Sequence, residues 1–300
     1  MRELVVISGK GGTGKTSIAA SFAALAGRAV IADCDVDSSN LPLLLEPEDR
    51  IATPFFGGKQ ASIDTGVCSG CGLCEEVCRF GAVVAVDDEA ASFRVDPLAC
   101  EGCGVCAHFC PEGAVAFEDV QNGEWYLSRT RFGLMIHARL AAGGENSGRL
   151  VSVVRTEARS IAEQGNFDLI ISDGSPGIGC PVIASITGAD FVLAVTEPSL
   201  SAIHDLERVV SLTGHFGVET AIAINKSDIN AGLSAVIEKY ARERGIMLAG
   251  KIRYDTAVTK AQMEGKTIVE YADCPAARDI RDIWECVHDQ LKEEDVSYGT

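Results

Sequence analysis

Residues 9–16 of this 300-residue chain read Gly9-Lys10-Gly11-Gly12-Thr13-Gly14-Lys15-Thr16. They match the G-x-x-x-x-G-K-[ST] loop that cradles phosphates. The context also matches, with an apolar run over 3–7 before the loop and the helix-forming stretch SIAASFAALA after it. Glycines let backbone N–H groups of Gly11, Gly12, Thr13 and Gly14 close around an anion at a helix N-terminus, where the dipole adds to the attraction. Lys15 is then placed for the β- and γ-phosphates, and the Thr16 hydroxyl for Mg²⁺.

Cysteines supply the second chemistry. Cys68, Cys71, Cys74 and Cys78 are spaced C-x₂-C-x₂-C-x₃-C, and Cys100, Cys103, Cys106 and Cys110 repeat the pattern 32 residues later. This is the spacing of bacterial two-cluster ferredoxins, in which three thiolates of each run hold one [4Fe–4S] cluster and the fourth crosses to the other. One ligand set is then Cys68, Cys71, Cys74 and Cys110, and the other is Cys100, Cys103, Cys106 and Cys78. The first three cysteines of a run are expected on a loop, with the fourth opening a short helix. Zinc also accepts C-x₂-C pairs, but two regular quartets with no histidine in register favour the clusters. Pro111 follows the second run, whereas Arg79 stands at the matching place after the first, a departure that removes no ligand.

The elements that must position these groups are legible as apolar runs. A strand over 29–32 ends in Asp33, Cys34, Asp35, Val36 and Asp37. Alternation sends Asp33 and Asp35 to one side and Cys34 into packing on the other. Carboxylates at the C-terminal end of a parallel strand lie beside the ligand crevice. A strand over 167–172 leads to Asp173 and Gly177, another covers 191–196, and one over 220–224 leads to Asn225, Lys226, Ser227 and Asp228. These runs predict an α/β fold with a doubly wound, mostly parallel sheet. Its phosphate-loop part spans residues 1–60 and 118–300, interrupted by a ferredoxin-like insertion over 61–117. A last helix over 276–292 carries Ile280, Ile283, Trp284, Val287 and Leu291 at helical spacing and is expected to pack on the sheet. Its acidic composition does not suit an anionic membrane surface.

With Lys10 at its second position, KGGTGKT resembles the deviant Walker A motif of the MinD, ParA and nitrogenase-iron-protein superfamily. Nearly the whole chain resembles MinD-superfamily ATPases with an inserted ferredoxin domain, related to the Mrp group. The resemblance implies an ATP-sandwiched homodimer in which Lys10 reaches the partner's phosphates. It further implies that Asp35 orients the attacking water, Asp33 lies near the metal shell and Asp173 holds Mg²⁺ through water. Gly177 would sense the γ-phosphate and Asn225 would bond the adenine edge. The letters NKSD also suit a guanine-binding motif, and Lys10 tips the reading to ATP. Lys10, Lys15 and Asp35 are thus the catalytic candidates. Cys180 lies where the nitrogenase iron protein has a bridging-cluster ligand, but no second cysteine lies between Cys110 and Cys180. Packing as a small hydrophobe is expected there. Cys274 and Cys286 form no C-x-x-C pair, so the paired cysteines of Mrp-type carriers are missing.

Composition bounds the rest. Lys plus Arg is 26 and Asp plus Glu 43, a net charge of -17. A broad nucleic-acid face is excluded, because neutralising phosphates needs a basic surface. No apolar run approaches the roughly 20 residues that span a bilayer, and the chain opens without a basic leader, so a cytoplasmic protein with no membrane contact is expected. Reduced thiols in that compartment favour metal over disulfides for its twelve cysteines. The segment 61–117 holds two basic and nine acidic residues. That charge predicts low cluster potentials and a redox partner with a basic patch, steered less strongly as salt rises. The leading expectation is an ATPase whose dimer gates electron transfer. An iron–sulfur assembly or carrier ATPase is the alternative, and a ParA-like regulatory ATPase with redox-sensing clusters a further one.

Overall fold

Short runs of Val, Ile, Leu and Ala, apolar on both faces, suit strands covered by helices on either side. The computed structural model describes residues 1–86, 92–141 and 147–297. In chain order its elements begin with β1 (Arg2–Ser8), α1 (Lys15–Ala26), β2 (Val30–Asp33), α2 (Leu41–Leu45) and β3 (Glu48–Ile63). There follow α3 (Leu73–Glu76), β4 (Val83–Ala85), β5 (Phe93–Val95), α4 (Val105–Phe109), β6 (Val115–Thr130) and β7 (Gly133–Leu140). Next come α5 (Ser147–Gln164), β8 (Leu169–Pro176), α6 (Cys180–Ile186), β9 (Phe191–Thr196) and α7 (Leu200–His215). The chain ends with β10 (Glu219–Ile224), α8 (Ala231–Glu243), β11 (Met247–Lys251), α9 (Ala257–Met263), α10 (Ile268–Tyr271) and α11 (Pro275–Ser297).

The central sheet has the order β11-β10-β9-β1-β8-β2-β7-β6-β3. β1 pairs in parallel with β8 and β9, and the β2–β8, β2–β7, β9–β10 and β10–β11 pairings are parallel too. Strand alternation sorts β1 between two cores. Leu4 and Val6 join Phe22 of α1 and Ile280, Ile283, Trp284, Val287 and Leu291 of α11. Val5 and Ile7 face Val182, Leu206, Val209 and Ile237 from α6, α7 and α8 on the opposite side. The last helix therefore packs as its apolar spacing predicts. Phe22 and Trp284 meet with ring centroids 5.1 Å apart, and burying each ring is worth about 2–3 kcal/mol. No helix among the described residues is long and apolar enough to cross a membrane.

Two compact units divide the chain. The first comprises residues 1–53, 125–139 and those from 147 onward; the second comprises 54–124 and the segment starting at Leu140. The second is wider than the cysteine-rich stretch 61–117, of which residues 87–91 lie outside the described ones. Within it, β4 and β5 form an antiparallel pair with Val83 opposite Val95. Ala61, Val83, Phe93 and Val115 pack with the buried Cys74 and Cys106.

Helix placement in this unit corrects one expectation. α3 and α4 carry the third cysteine of each run, Cys74 and Cys106, and the fourth follows the helix. The cause is local: Gly72 and Gly104 sit at φ 75° and 72° and cap the helix start one residue earlier than Leu73 and Val105. That left-handed geometry is cheap only for glycine.

Candidate functional site

β1 delivers the loop and α1 receives it. Gly14 takes φ 93° at the N-cap of α1, and a Cβ there would collide with the Asn225 amide. Lys15, the first residue of α1, is buried with its Nζ 2.6 Å from Asp173 Oδ1 and 3.5 Å from Asp35 Oδ2. Parallel register sets Asp33 at the end of β2 across from Asp173 in β8. Asp33 accepts from Ser39 Oγ at 2.6 Å and from Asp35 N at 3.1 Å. Strand β8 continues past the expected end at 172 to Pro176, so Asp173 lies within it.

Electrostatics follow from this crowding. Burial, reinforced by the Asp173 charge, pushes the Asp33 carboxyl up to about 7. Burial also raises Asp35, with Lys15 opposing. Burial alone would lower Lys15, but Asp173 and Asp35 outweigh it and hold the ammonium charged. Asp173 Oδ2 and Thr13 Oγ1 are buried without a hydrogen-bond partner among the described residues. The orphaned carboxylate oxygen of Asp173 suits a hard divalent cation that takes one or two protein oxygens and otherwise keeps its waters. The loop, Asp35, Leu43, Leu44, Pro176 and Gln262 surround a cavity of about 660 Å³, ample for a small polyanionic ligand.

Lys10 turns back on its own chain. Its Nζ lies 2.7 Å from Glu197 Oε1 and donates to Ser199 and Ser201 Oγ at 3.2 Å each. Lys226 Nζ meets the other oxygen of Glu197 at 2.9 Å and donates to Gly12 O at 3.1 Å. Burial raises Glu197, but the two lysines more than offset it and hold the carboxyl below its usual range. Sequence reasoning missed Glu197; its one signal is an acid just past the C-terminal end of a buried strand, β9. Asn225 Nδ2 donates to Thr13 O at 2.7 Å and its Oδ1 accepts from Lys226 N. The amide thus holds the loop from the side of β10. Gly177, at φ 95°, donates its N–H to Ser8 O at 2.8 Å and so joins the end of β1. Gln262, also missed, donates to Ser17 Oγ at 2.7 Å.

In the second unit each quartet lines a cavity. Cys68, Cys71, Cys74 and Cys110 line one, with Leu73, Phe93 and Val115. Cys78, Cys100, Cys103 and Cys106 line the other, with Ala61, Val83 and Val95. The fourth cysteine of each run therefore stands with the other run's three, as crossed ligation requires. Burial pushes the Cys78 thiol up, but backbone N–H groups of Phe80, Ala82, Val83 and Gly81 prevail and bring it below its usual value. Ala114 N donates to Cys110 Sγ at 3.3 Å. N–H groups aimed at sulfur suit cluster-bound thiolates. No three His, Cys, Asp or Glu among the described residues form a group that could hold a single metal ion.

Cys180 departs from expectation. It is exposed at the first position of α6, beside Gly148 of α5, and is not packed as a small hydrophobe.

Comparison with known proteins settles the family. Residues 4–268 match the CobQ/CobB/MinD/ParA nucleotide binding domain. The chain belongs to that family. An uncharacterised protein of Methanocaldococcus jannaschii is 33% identical over 232 residues, spanning 76% of this chain and 79% of the relative. An iron-sulfur cluster carrier protein of Pyrococcus abyssi is 28% identical over 160 residues, 49% of this chain and 54% of the relative. The septum site-determining protein MinD of Pyrococcus horikoshii, solved with Mg-ADP, superposes with a TM-score of 0.59 at 16% identity, covering 97% of each chain. At that identity the likeness is one of fold. Family membership makes this MinD/ParA-type protein a nucleotide-binding ATPase.

Proposed function

We propose that this ATPase uses a nucleotide-dependent homodimer to gate electron transfer through two [4Fe–4S] clusters to a partner protein. The observation that carries the reading is the sorting of eight cysteines into two cavities, each lined by three from one run and the fourth from the other. Bound there, a [4Fe–4S] cluster supplies one-electron chemistry. Residues 61–117 are then the cluster-binding core of the second unit, and the first unit is the ATPase. A cytoplasmic site of action is consistent with thiolates that must stay reduced.

The ATPase residues take roles consistent with their placement. Backbone N–H groups of Gly11, Gly12, Thr13 and Gly14 bind the phosphates, and the Lys15 ammonium neutralises their charge. Thr16 and Asp173 hold Mg²⁺, Asp173 through water, with Asp33 behind them. Asp35, at the cavity wall, orients water for attack on the γ-phosphorus as the bond to the β-phosphate oxygen breaks. Lys10 leaves Glu197 to reach the partner's phosphates in the dimer. Gly177, tied to β1 at Ser8, reports the γ-phosphate to the segment before α6, and Asn225 bonds the adenine edge.

A second reading, cluster assembly or delivery, draws on the name of the Pyrococcus abyssi relative. One experiment separates the two. Anaerobically purified protein is counted for iron and sulfide, then turned over with ATP beside an apo-ferredoxin acceptor. About eight irons and eight sulfides per chain, retained through turnover, support the gated-transfer reading. ATP-dependent movement of iron and sulfide to the acceptor supports delivery. Zinc without sulfide ends both.

A further inference from the structure

The two cysteine cavities resemble each other in ligands and differ at their rims. The first is bordered by the exposed Ser69, Pro111 and Glu112. None of the exposed large apolar side chains among the described residues lines it. The second is bordered by Phe80, 47% exposed, and Val105, 37% exposed, with the exposed carboxylate of Glu101 and the exposed Cys103. Leu98, two residues before Cys100, is 83% exposed on the loop that enters this quartet. Leaving part of a Phe and a Val in water beside a ligand cavity costs transfer free energy. The same side chains facing a partner would recover part of that cost.

We propose that the second cavity, ringed by Phe80, Glu101 and Val105, is the docking port for a one-electron carrier protein with an apolar contact surface set in a basic rim. The inference rests on the two-cluster reading and adds which quartet faces the partner. Charge decides the occupant. The stretch 61–117 carries nine acidic and two basic residues, so its field attracts a basic surface over a distance and repels a second acidic copy of itself. Arg79, exposed next to Phe80, is a basic exception at the rim, and for that reason the apolar pair, not a local ion pair, carries the docked contact. Small transient interfaces of this kind are usual for electron carriers. Each quartet has one exposed cysteine, Cys71 in the first and Cys103 in the second, so the apolar rim and not ligand exposure distinguishes the port. In the step itself one electron leaves a reduced cluster, which returns to its oxidised level, and the carrier's centre is reduced by one. No bond is made or broken.

Lysine-rich ferricytochrome c serves as the probe for such a carrier. Binding is measured by anaerobic titration calorimetry on the cluster-loaded, oxidised full-length protein, where no electron can flow. Transfer is measured by stopped flow after dithionite reduction. The Phe80→Ser/Val105→Ser double variant is expected to weaken binding and slow transfer about tenfold, the loss typical of removing a central apolar contact. Its iron and sulfide content and its rate with methyl viologen are measured beside the parent's, so that damage to the cluster is told apart from loss of docking; a loss of cytochrome binding that follows a loss of iron overturns the port. Phe109→Ser, which removes another exposed aromatic, next to Cys110, should leave cytochrome binding unchanged. Rising salt should weaken binding in the parent and in both variants. If the double variant binds as the parent does, or if Phe109→Ser carries the loss instead, the port is not at the second cavity. Absence of iron and sulfide in the parent would instead remove the two-cluster reading on which the port depends.

Discussion

Lys10 and Glu197 show how far a single residue can be read. The lysine was legible because its position in a glycine loop is a local pattern, and the aspartates because they end apolar runs. Glu197 was not, since one acid after a buried strand has no spacing to mark it. If Lys10 serves the partner's phosphates as proposed, the 2.7 Å ion pair between them competes with that role. The pair is partly exposed, so its hold is worth about 1 kcal/mol. A symmetric dimer releases two such pairs, so Glu197→Gln is expected to lower the protein concentration needed for dimer formation with a non-hydrolysable ATP analogue about 30-fold. Lys10→Ala should bind the analogue as a monomer and lose turnover. Analytical ultracentrifugation reads both. A Glu197→Gln protein that dimerises less readily than the parent would mean that the carboxylate belongs to the dimer contact and not to a competing hold. At the second unit the residue-level test is Cys78→Ser. Because Cys78 lies with Cys100, Cys103 and Cys106, the loss should fall on their cluster, taking iron from about eight to about four per chain. Damage confined to the Cys68 cluster would refute the crossing.

Elements were legible where both faces are buried or where a turn has a local code. β9 was read to the residue, because FVLAV is an unbroken apolar run, closed by the buried Thr196 before Glu197-Pro198. The long β3 was not read, since EDRIATPFFGGKQASI mixes polar side chains with Pro54, Gly57 and Gly58, all depleted in strands. The helix starts in the cysteine repeat were misplaced because a glycine's φ, not its neighbours' apolarity, sets them. β7 yields a pH prediction. His137 is 4% exposed, stacks on Tyr126 at 4.9 Å and has Nε2 3.0 Å from Ser128 Oγ. Burial, with the Arg50 charge adding to it, drives its pKa down from 6.5 to about 4. The unfolded chain therefore takes up this proton near pH 6.5 while the folded chain resists it to about pH 4. In that window the unfolded state binds more protons, so stability rises with pH and is lost as pH falls, by up to about 3 kcal/mol from this one group. Comparing urea unfolding of the parent and His137→Phe between pH 4 and 7 isolates the term. The variant should show the shallower slope; equal slopes would mean that the imidazole titrates alike in both states.

For the whole molecule the remaining question is whether nucleotide and cluster states communicate. After Asp33-Cys34-Asp35-Val36-Asp37 the chain runs through α2 and the start of β3 and enters the second unit at residue 54, which links the segment proposed to respond to the γ-phosphate covalently to the unit proposed to bind the clusters. A ligand shifts a conformational equilibrium only by its differential affinity for the two states, and the effect must be reciprocal. If ATP favours one arrangement of the dimer, it should move the cluster potential, and cluster reduction should change ATP affinity by the same free energy. Coupling of about 1–3 kcal/mol is typical. Two anaerobic titrations measure it: cluster potential with and without a non-hydrolysable ATP analogue, and analogue affinity for oxidised and reduced protein. The Lys15→Ala variant, which should retain its clusters and lose nucleotide binding, gives the uncoupled baseline. Matching shifts in the parent that vanish in the variant would establish coupling within the chain. If neither quantity moves in the parent and chelator access to the iron is also unchanged by the analogue, the ATPase does not gate its own clusters, and gating would have to arise in the complex with the carrier.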